Sequence, residues 1–481
     1  MARQTIRRAA VDHKLLLATL LCCECVASAA VHAETDVGPN DYLPAVIHAR
    51  PGTIIKLQSG VYTDGLPVRE INGTAEQPII IEAADPSSPP QFLARPGMNT
   101  VSIVNASYVT IRNLVLEGRG MPVDAVKAEG YSKFAHHITI EGLRIVGYGF
   151  DQLTIGISTK CPAWAWIIRR NVIVLAGTGM YLGNSDGRAP FIGGVIEYNL
   201  VIDPRGYGIQ IKHQIGRPTD YGVPTDRQIT IIRHNVVSKY GNASDGHLAR
   251  PNLLVGHFPT SGPGKDDRYL IYGNFLYANR VEALFQGEGN VALYANIFVN
   301  PFGDAIHIQP HYDLPRNVWL FNNTVVANGD GIRLLGPVGD YLRLVRDNVV
   351  FAEHDASRAY SGNLTGSYQD AQKYLVNPRA GPGKLNAQLK PAWRGKKGEK
   401  LVLTEPWPDI RRDFERNPMG VDDLGAYART ASPAWAPNIS IKPRMWKVMR
   451  NSPAARAGNL RNAPPDSKAG RTAVAISARP G

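Results

Sequence analysis

Between residues 171 and 351 the chain repeats one short phrase, an asparagine followed by a mostly apolar triplet. Asn-Val-Ile-Val (171–174) returns as Asn-Leu-Val-Ile (199–202), Asn-Val-Val-Ser (235–238) and Asn-Phe-Leu-Tyr (274–277). It returns again as Asn-Ile-Phe-Val (296–299), Asn-Thr-Val-Val (323–326) and Asn-Val-Val-Phe (348–351), at intervals of 28, 36, 39, 22, 27 and 25 residues. Between the asparagines a second piece recurs: Gly-Met-Tyr-Leu (179–182), Gly-Ile-Gln-Ile (208–211), Ala-Ile-His-Ile (305–308) and Gly-Ile-Arg-Leu (331–334). Alternation of apolar and polar residues over such short runs predicts strands with one buried face. A unit that returns at this period predicts a solenoid.

Each unit holds two or three short strands and turn residues, with no room for a helix of three turns. The shortest interval, 22 residues, suffices for one coil of three strands, and the longer intervals hold loops thrown out on one side. The predicted fold is all-β, a right-handed parallel β-helix. The recurrent Asn is expected at a tight turn, where it tolerates left-handed backbone and hydrogen-bonds to its neighbours in the stack. A chain of 481 residues would ordinarily divide, because single cores stop growing near 250–300 residues. A solenoid escapes that limit, since each coil covers only its neighbour.

Residues 34–431 are therefore read as one β-helix domain with capping segments. Tyr42 to Ile47 forms a short amphipathic helix over the open end, residues 370–430 fold back over the other, and Asp423 to Tyr427 is the closing strand. Residues 432–481 are rich in Pro, Ala and Arg without periodicity and read as a basic disordered tail. Residues 1–33 read as a signal peptide: Arg3, Arg7, Arg8 and Lys14, then the apolar run from Leu15 to Val31, then Val31-His32-Ala33 as a cleavage pattern. A secreted or periplasmic protein follows, with no membrane span after cleavage. Cys22, Cys23 and Cys25 lie in that segment, so the mature chain keeps Cys161 alone and stacking must supply its stability. The formal charge of +12 is concentrated at the two ends. The body is near neutral, which argues against a nucleic-acid partner, and the chain reads as a monomer.

Function on a solenoid lies on the sheet that the inserted loops wall in. Aligning the alternating strands puts Tyr181, Gln210, Leu254, Phe285, His307 and Arg333 in one outward column. The next column reads Gly183, Lys212, Gly256, Gly287, Gln309 and Leu335. Lys212 then stands between glycine rungs, on an open floor flanked by the two longest intervals. His213 adjoins it, Arg250 and His257 belong to the next rung, Glu282, Gln286 and Glu288 follow, and His307 and His311 lie further down. These residues suit proton abstraction beside a uronate carboxylate, which needs a base, a cation to neutralise the carboxylate and an acid for the leaving oxygen. No HExxH or CxxC spacing and no phosphate loop occurs. Asp266-Asp267 suggests the paired carboxylates of a glycosidase, although the flanking residues read as a loop entering a strand.

The opening Pro51-Gly52-Thr53-Ile54-Ile55-Lys56-Leu57, with Gly60-Val61-Tyr62 and the run Gly73 to Ile81, resembles that of secreted β-helix polysaccharide lyases of the chondroitinase B and alginate lyase kind. The resemblance spans about residues 34–350 and is mainly structural. It implies a strand lysine as base, matched by Lys212, with Arg250 or Arg217 as its partner and His213 and His257 beside them. It implies an acidic polysaccharide as substrate, and on the aligned face Tyr181, Gln210, Arg217, Gln286, Glu288, His307, Gln309, His311 and Arg333 are the residues expected to hold it. No cofactor is implied beyond Ca²⁺ on the substrate carboxylate in some of these lyases. The alginate C5-epimerases are similar too, but their Asp-Pro-His motif has Gln309-Pro310-His311 as its counterpart here, with Gln for Asp. A lyase is the first expectation. A module that binds or shelters an exported polysaccharide, a C5-epimerase and a glycoside hydrolase on the same scaffold are the alternatives.

Overall fold

The computed structural model describes residues 33–400 and 407–444. The expected signal peptide, apart from Ala33, lies outside the described residues, as do residues 445–481 of the expected tail. Three parallel sheets run the length of the molecule. The first has 14 strands, two of them off its main path, the second 12 and the third 10, and successive strands along each path belong to successive coils. One coil reads Ile229–Arg233 in the first sheet, Val236–Ser238 in the second and, after a loop, Leu253–Val255 in the third. This is the parallel β-helix that the repeats predict.

Register explains why these short strands hold. Ile55, Ile81, Ile111, Ile140, Ile168, Ile196, Ile232 and Ile271 pair in sequence down the inner face of the first sheet. Leu293, Leu320 and Val345 continue the column. All are buried, each contributing about 1.5–3 kcal/mol relative to exposure. At the N-terminal end the helix Tyr42–Ile47 turns Tyr42 and Val46 inward, with the Tyr42 ring edge-on to Tyr62 at 5.0 Å.

The asparagines form a ladder. Backbone N–H of Asn171 donates to Oδ1 of Asn199, and the same bond links Asn199 to Asn235, Asn235 to Asn274 and Asn274 to Asn296. It then links Asn296 to Asn323, Asn323 to Asn348 and Asn348 to Asn363. Each Nδ2 donates to that same oxygen and to a carbonyl of the coil before. The left-handed backbone belongs to the residue in front, as at Arg170, Tyr198, His234, Ala295, Asn322 and Asp347, so the expectation that Asn itself adopts it is corrected.

The C-terminal part differs from expectation. Residues 407–444 run back along the flank rather than over the end. Trp407 packs on Tyr294, Trp319 and Phe321 of the first sheet's outer face. Asp423 to Tyr427 makes no strand. It crosses the turn between the first and second sheets, where Asn322 Nδ2 donates to the Asp423 carbonyl and Ala426 N–H to Thr324 Oγ1. Nor are residues 432–444 a disordered tail. Glu415 accepts the N–H groups of Ala434 and Trp435, and Lys442, 3% exposed, donates to the carbonyls of Gly273 and Phe414. Composition hid this because three apolar anchors, Trp435, Ile439 and Ile441, suffice to dock a segment lacking any period.

Candidate active-site cleft

Long loops wall the third sheet into a cleft of about 930 Å³. Its floor is set by strand register. The outward column runs Lys127, Ser158, Tyr181, Gln210, Leu254, Gln286, His307, Arg333. Gln286 stands where Phe285 was expected; Phe285 is fully buried in the core. The same one-residue slip, which exchanges faces in a strand, replaces Gly287 by Glu288 in the second column. That column starts one rung earlier than expected, with Lys160, and continues Gly183, Lys212, Gly256, Glu288.

Side chains would crowd both positions beside Lys212, and Gly183 also holds left-handed backbone at φ +91°. A Cβ on Gly183 would come within 3.3 Å of the Lys212 Cβ, and one on Gly256 within 2.4 Å of the His213 nitrogen. Lys212 therefore has room to rise from the floor. Its ammonium lies 5.3 Å from the centre of the Tyr312 ring, which also stacks on His213 at 3.9 Å. Tyr312 is 54% exposed and forms a roof over both. Burial lowers the Lys212 pKa; Arg250 adds to the fall and Glu288 opposes it.

Glu288 is the most perturbed acid of the floor. Burial pushes its carboxyl up to about 7, against the pull of the N–H groups of Tyr312, His257 and His311. Oε1 accepts the Tyr312 N–H at 2.7 Å, while buried Oε2 has no hydrogen-bond partner among the described residues. His213 is pushed down to about 4, first by burial and then by Lys212 and its neighbouring histidines, so it is neutral at pH 7, with Nδ1 buried and without a partner among the described residues. Burial and Lys212 lower His311 as well. His257 sits behind His213 at 5.3 Å between ring centres, its Nδ1 2.9 Å from the Phe258 carbonyl, which requires the proton on Nδ1. Arg250 lines the opposite wall, tethered through Nη1 to the carbonyls of His247 and Ala249 and facing the Tyr207 ring at 5.6 Å.

The cleft thus gathers Tyr181, Gln210, Lys212, His213, Arg250, Gln286, Glu288, Gln309 and His311. Four expected residues stand elsewhere, and the first, His257, does not line the cleft but stands behind His213. Arg217 is not a substrate group: its side chain is 1% exposed and paired with Asp267, and Nη1 holds the carbonyls of Pro224 and Asp226. It pins the loop after Lys212, and Asp267 is thereby structural rather than half of a glycosidase pair. His307 lies one rung past Gln286, 3.0 Å from Asp304 Oδ2, and Arg333 lies near Asp330; neither lines the cleft. Among the described residues, Asp304, His307 and Asp330 are the one group of three close metal-type donors, and they lie off the cleft. Asp124, Glu282 and Glu288 line the cleft but form no group of three close donors among the described residues, and the cations Lys160, Lys212 and Arg250 beside them would oppose Ca²⁺. Lys160 and Tyr312 escaped sequence reasoning, because one precedes the repeated strands and the other sits on a loop that reaches back three rungs.

No protein-family model matches the chain, and no curated protein matches it in sequence. Among solved structures it is similar to the pectate lyase Pel9A, at 12% identity and a TM-score of 0.43, covering 82% of this chain and 96% of that one. It is similar to an alginate lyase from Paenibacillus sp. str. FPU-7, at 17% identity and a TM-score of 0.39, covering 70% and 98%. It is also similar to the A-module of the Azotobacter vinelandii mannuronan C-5 epimerase AlgE4, at 16% and 0.35, covering 66% and 87%. Likeness at this level says nothing of chemistry, and the fold rests on the strand register.

Proposed function

We propose that the chain is an exported enzyme that cleaves a uronate-containing polysaccharide by β-elimination in this cleft. The observation that carries the reading is Lys212: a half-buried lysine with depressed pKa, raised on a glycine-flanked floor, facing Arg250 and a carboxyl held near 7. Lys212 in its neutral form takes the proton beside the uronate carboxylate. Arg250 neutralises that carboxylate and so stabilises the charge that develops as the proton leaves. Protonated Glu288, with a pKa close to working pH, is matched to delivering a proton to the departing glycosidic oxygen.

The test is to incubate purified protein with a panel of uronate polymers and follow the ultraviolet band of the unsaturated uronate. Growth of that band with wild type and its loss in Lys212→Ala is the expected result. An intact polymer with inverted C5 centres would make the chain an epimerase. An intact, unaltered polymer that still binds would make it a binding module.

A further inference from the structure

The cleft contains the lysine–tyrosine device twice. Lys160 lies with Nζ 3.4 Å from the centre of the Tyr181 ring, as Lys212 lies against Tyr312. Ser158, Tyr181 and Gln210 pair in register, and two residues further on stand Lys160, Gly183 and Lys212, so the two lysines are separated by one rung without a side chain. Both lysines line the same cleft. The carboxylate that acts on it, Asp124, is already satisfied: Lys127 pairs with it at 3.2 Å, and it accepts from Ser158 Oγ and from the Ile155 N–H. Lys160 is thus a surplus positive charge, half-buried, with an aromatic face beside it.

We infer that Lys160 and Tyr181 form a second anion subsite, and that the substrate is a linear polyanion lying along the solenoid axis. Two strand spacings separate the lysines, about 10 Å, close to the repeat of two linked hexoses. A ribbon-like polyuronate turns every second carboxylate to the same side, so one sugar's carboxylate meets Lys160 while the reacting sugar sits at Lys212 and Arg250. Tyr181 offers the apolar face on which a sugar ring rests. This assignment rests on the function proposed above and deepens it: the enzyme reads charge spacing along a chain, and a single acidic sugar does not fill its cleft.

Calorimetric titration with mannuronate and galacturonate oligomers of increasing length tests it, using wild type, Lys160→Ala and Lys160→Met, the last keeping the apolar stem over Tyr181. Wild type is expected to bind the tetramer at least about tenfold more tightly than the dimer, the worth of one added charge-assisted contact. Both Lys160 variants are expected to lose that gain while binding the dimer as wild type does. A Lys160→Ala protein that keeps the gain overturns the second subsite and leaves the proposed reaction standing. One that loses dimer and tetramer affinity equally also overturns it, because the two lysines would then serve one site. If wild type binds no oligomer at all, both the subsite and the reaction fall.

Discussion

Lys212 owes its setting to two residues that have no side chain. With Gly183 and Gly256 keeping the floor clear, the half-buried lysine rises into the cleft and packs into no part of the core. Lys212→Ala is expected to lower turnover by about 10²–10⁴ with an unchanged denaturation midpoint; full activity in that variant would remove the lysine from the mechanism. Glu288 makes the opposite kind of prediction, one about pH. Its carboxyl is held at about 7 against an ordinary 4.5, so through that window the folded state keeps a proton that the unfolded chain has released. Stability from this group therefore falls as pH rises from 4.5 to 7 and falls no further above it. Glu288→Gln removes the titration, and relative to wild type it should gain up to about 3 kcal/mol between pH 5 and pH 8. Parallel stability curves for the two proteins over that range would show that Glu288 is not protonated in the fold.

The strand and its turn are the repeating element, and they are the best-read part of the sequence. Seven Asn-apolar phrases suffice because each asparagine does the same job in each coil. Asn296 accepts from Asn274 through Oδ1 and donates through Nδ2 to Asn323 and to the Ile271 carbonyl. Asn296→Leu strands the Asn274 N–H and the Ile271 carbonyl in the core, at about 1–3 kcal/mol for each. A loss of about 2–5 kcal/mol in chemical denaturation is expected, and an unchanged midpoint would count against the ladder. The third sheet was harder to read. Its strands are three to five residues long with loops of unequal length, so the alternation alone does not choose between Phe285 and Gln286 as the outward residue. The structure decides it by volume, since a phenylalanine fits the core and a glutamine does not. Arg217 misled for a related reason: a guanidinium near the cleft in sequence satisfied its charge on Asp267, a partner 50 residues away.

At the scale of the whole molecule, residues 407–444 turn a stack of coils into a flanked one. Ending the chain at Ala431 removes Lys442 with its bonds to Gly273 and Phe414 and uncovers the ground held by Trp435, Ile439 and Ile441. The shortened chain is expected to lose about 2–4 kcal/mol, measured by urea titration; a midpoint equal to wild type would mean that the segment adds nothing. Sequence separation gives this flank a further meaning. Coil contacts join residues a few tens apart and form as soon as the next coil exists, whereas Lys442 meets His234 across 208 residues. The stack can grow while its flank is still bare, with Tyr272, Tyr294 and Phe321 lined up 4.7 and 5.1 Å apart and Trp407 not yet over them. Incomplete chains therefore carry a strip of adhesive aromatic sheet, so the moment of greatest aggregation risk comes late, after the coils are formed and before residues 407–444 dock.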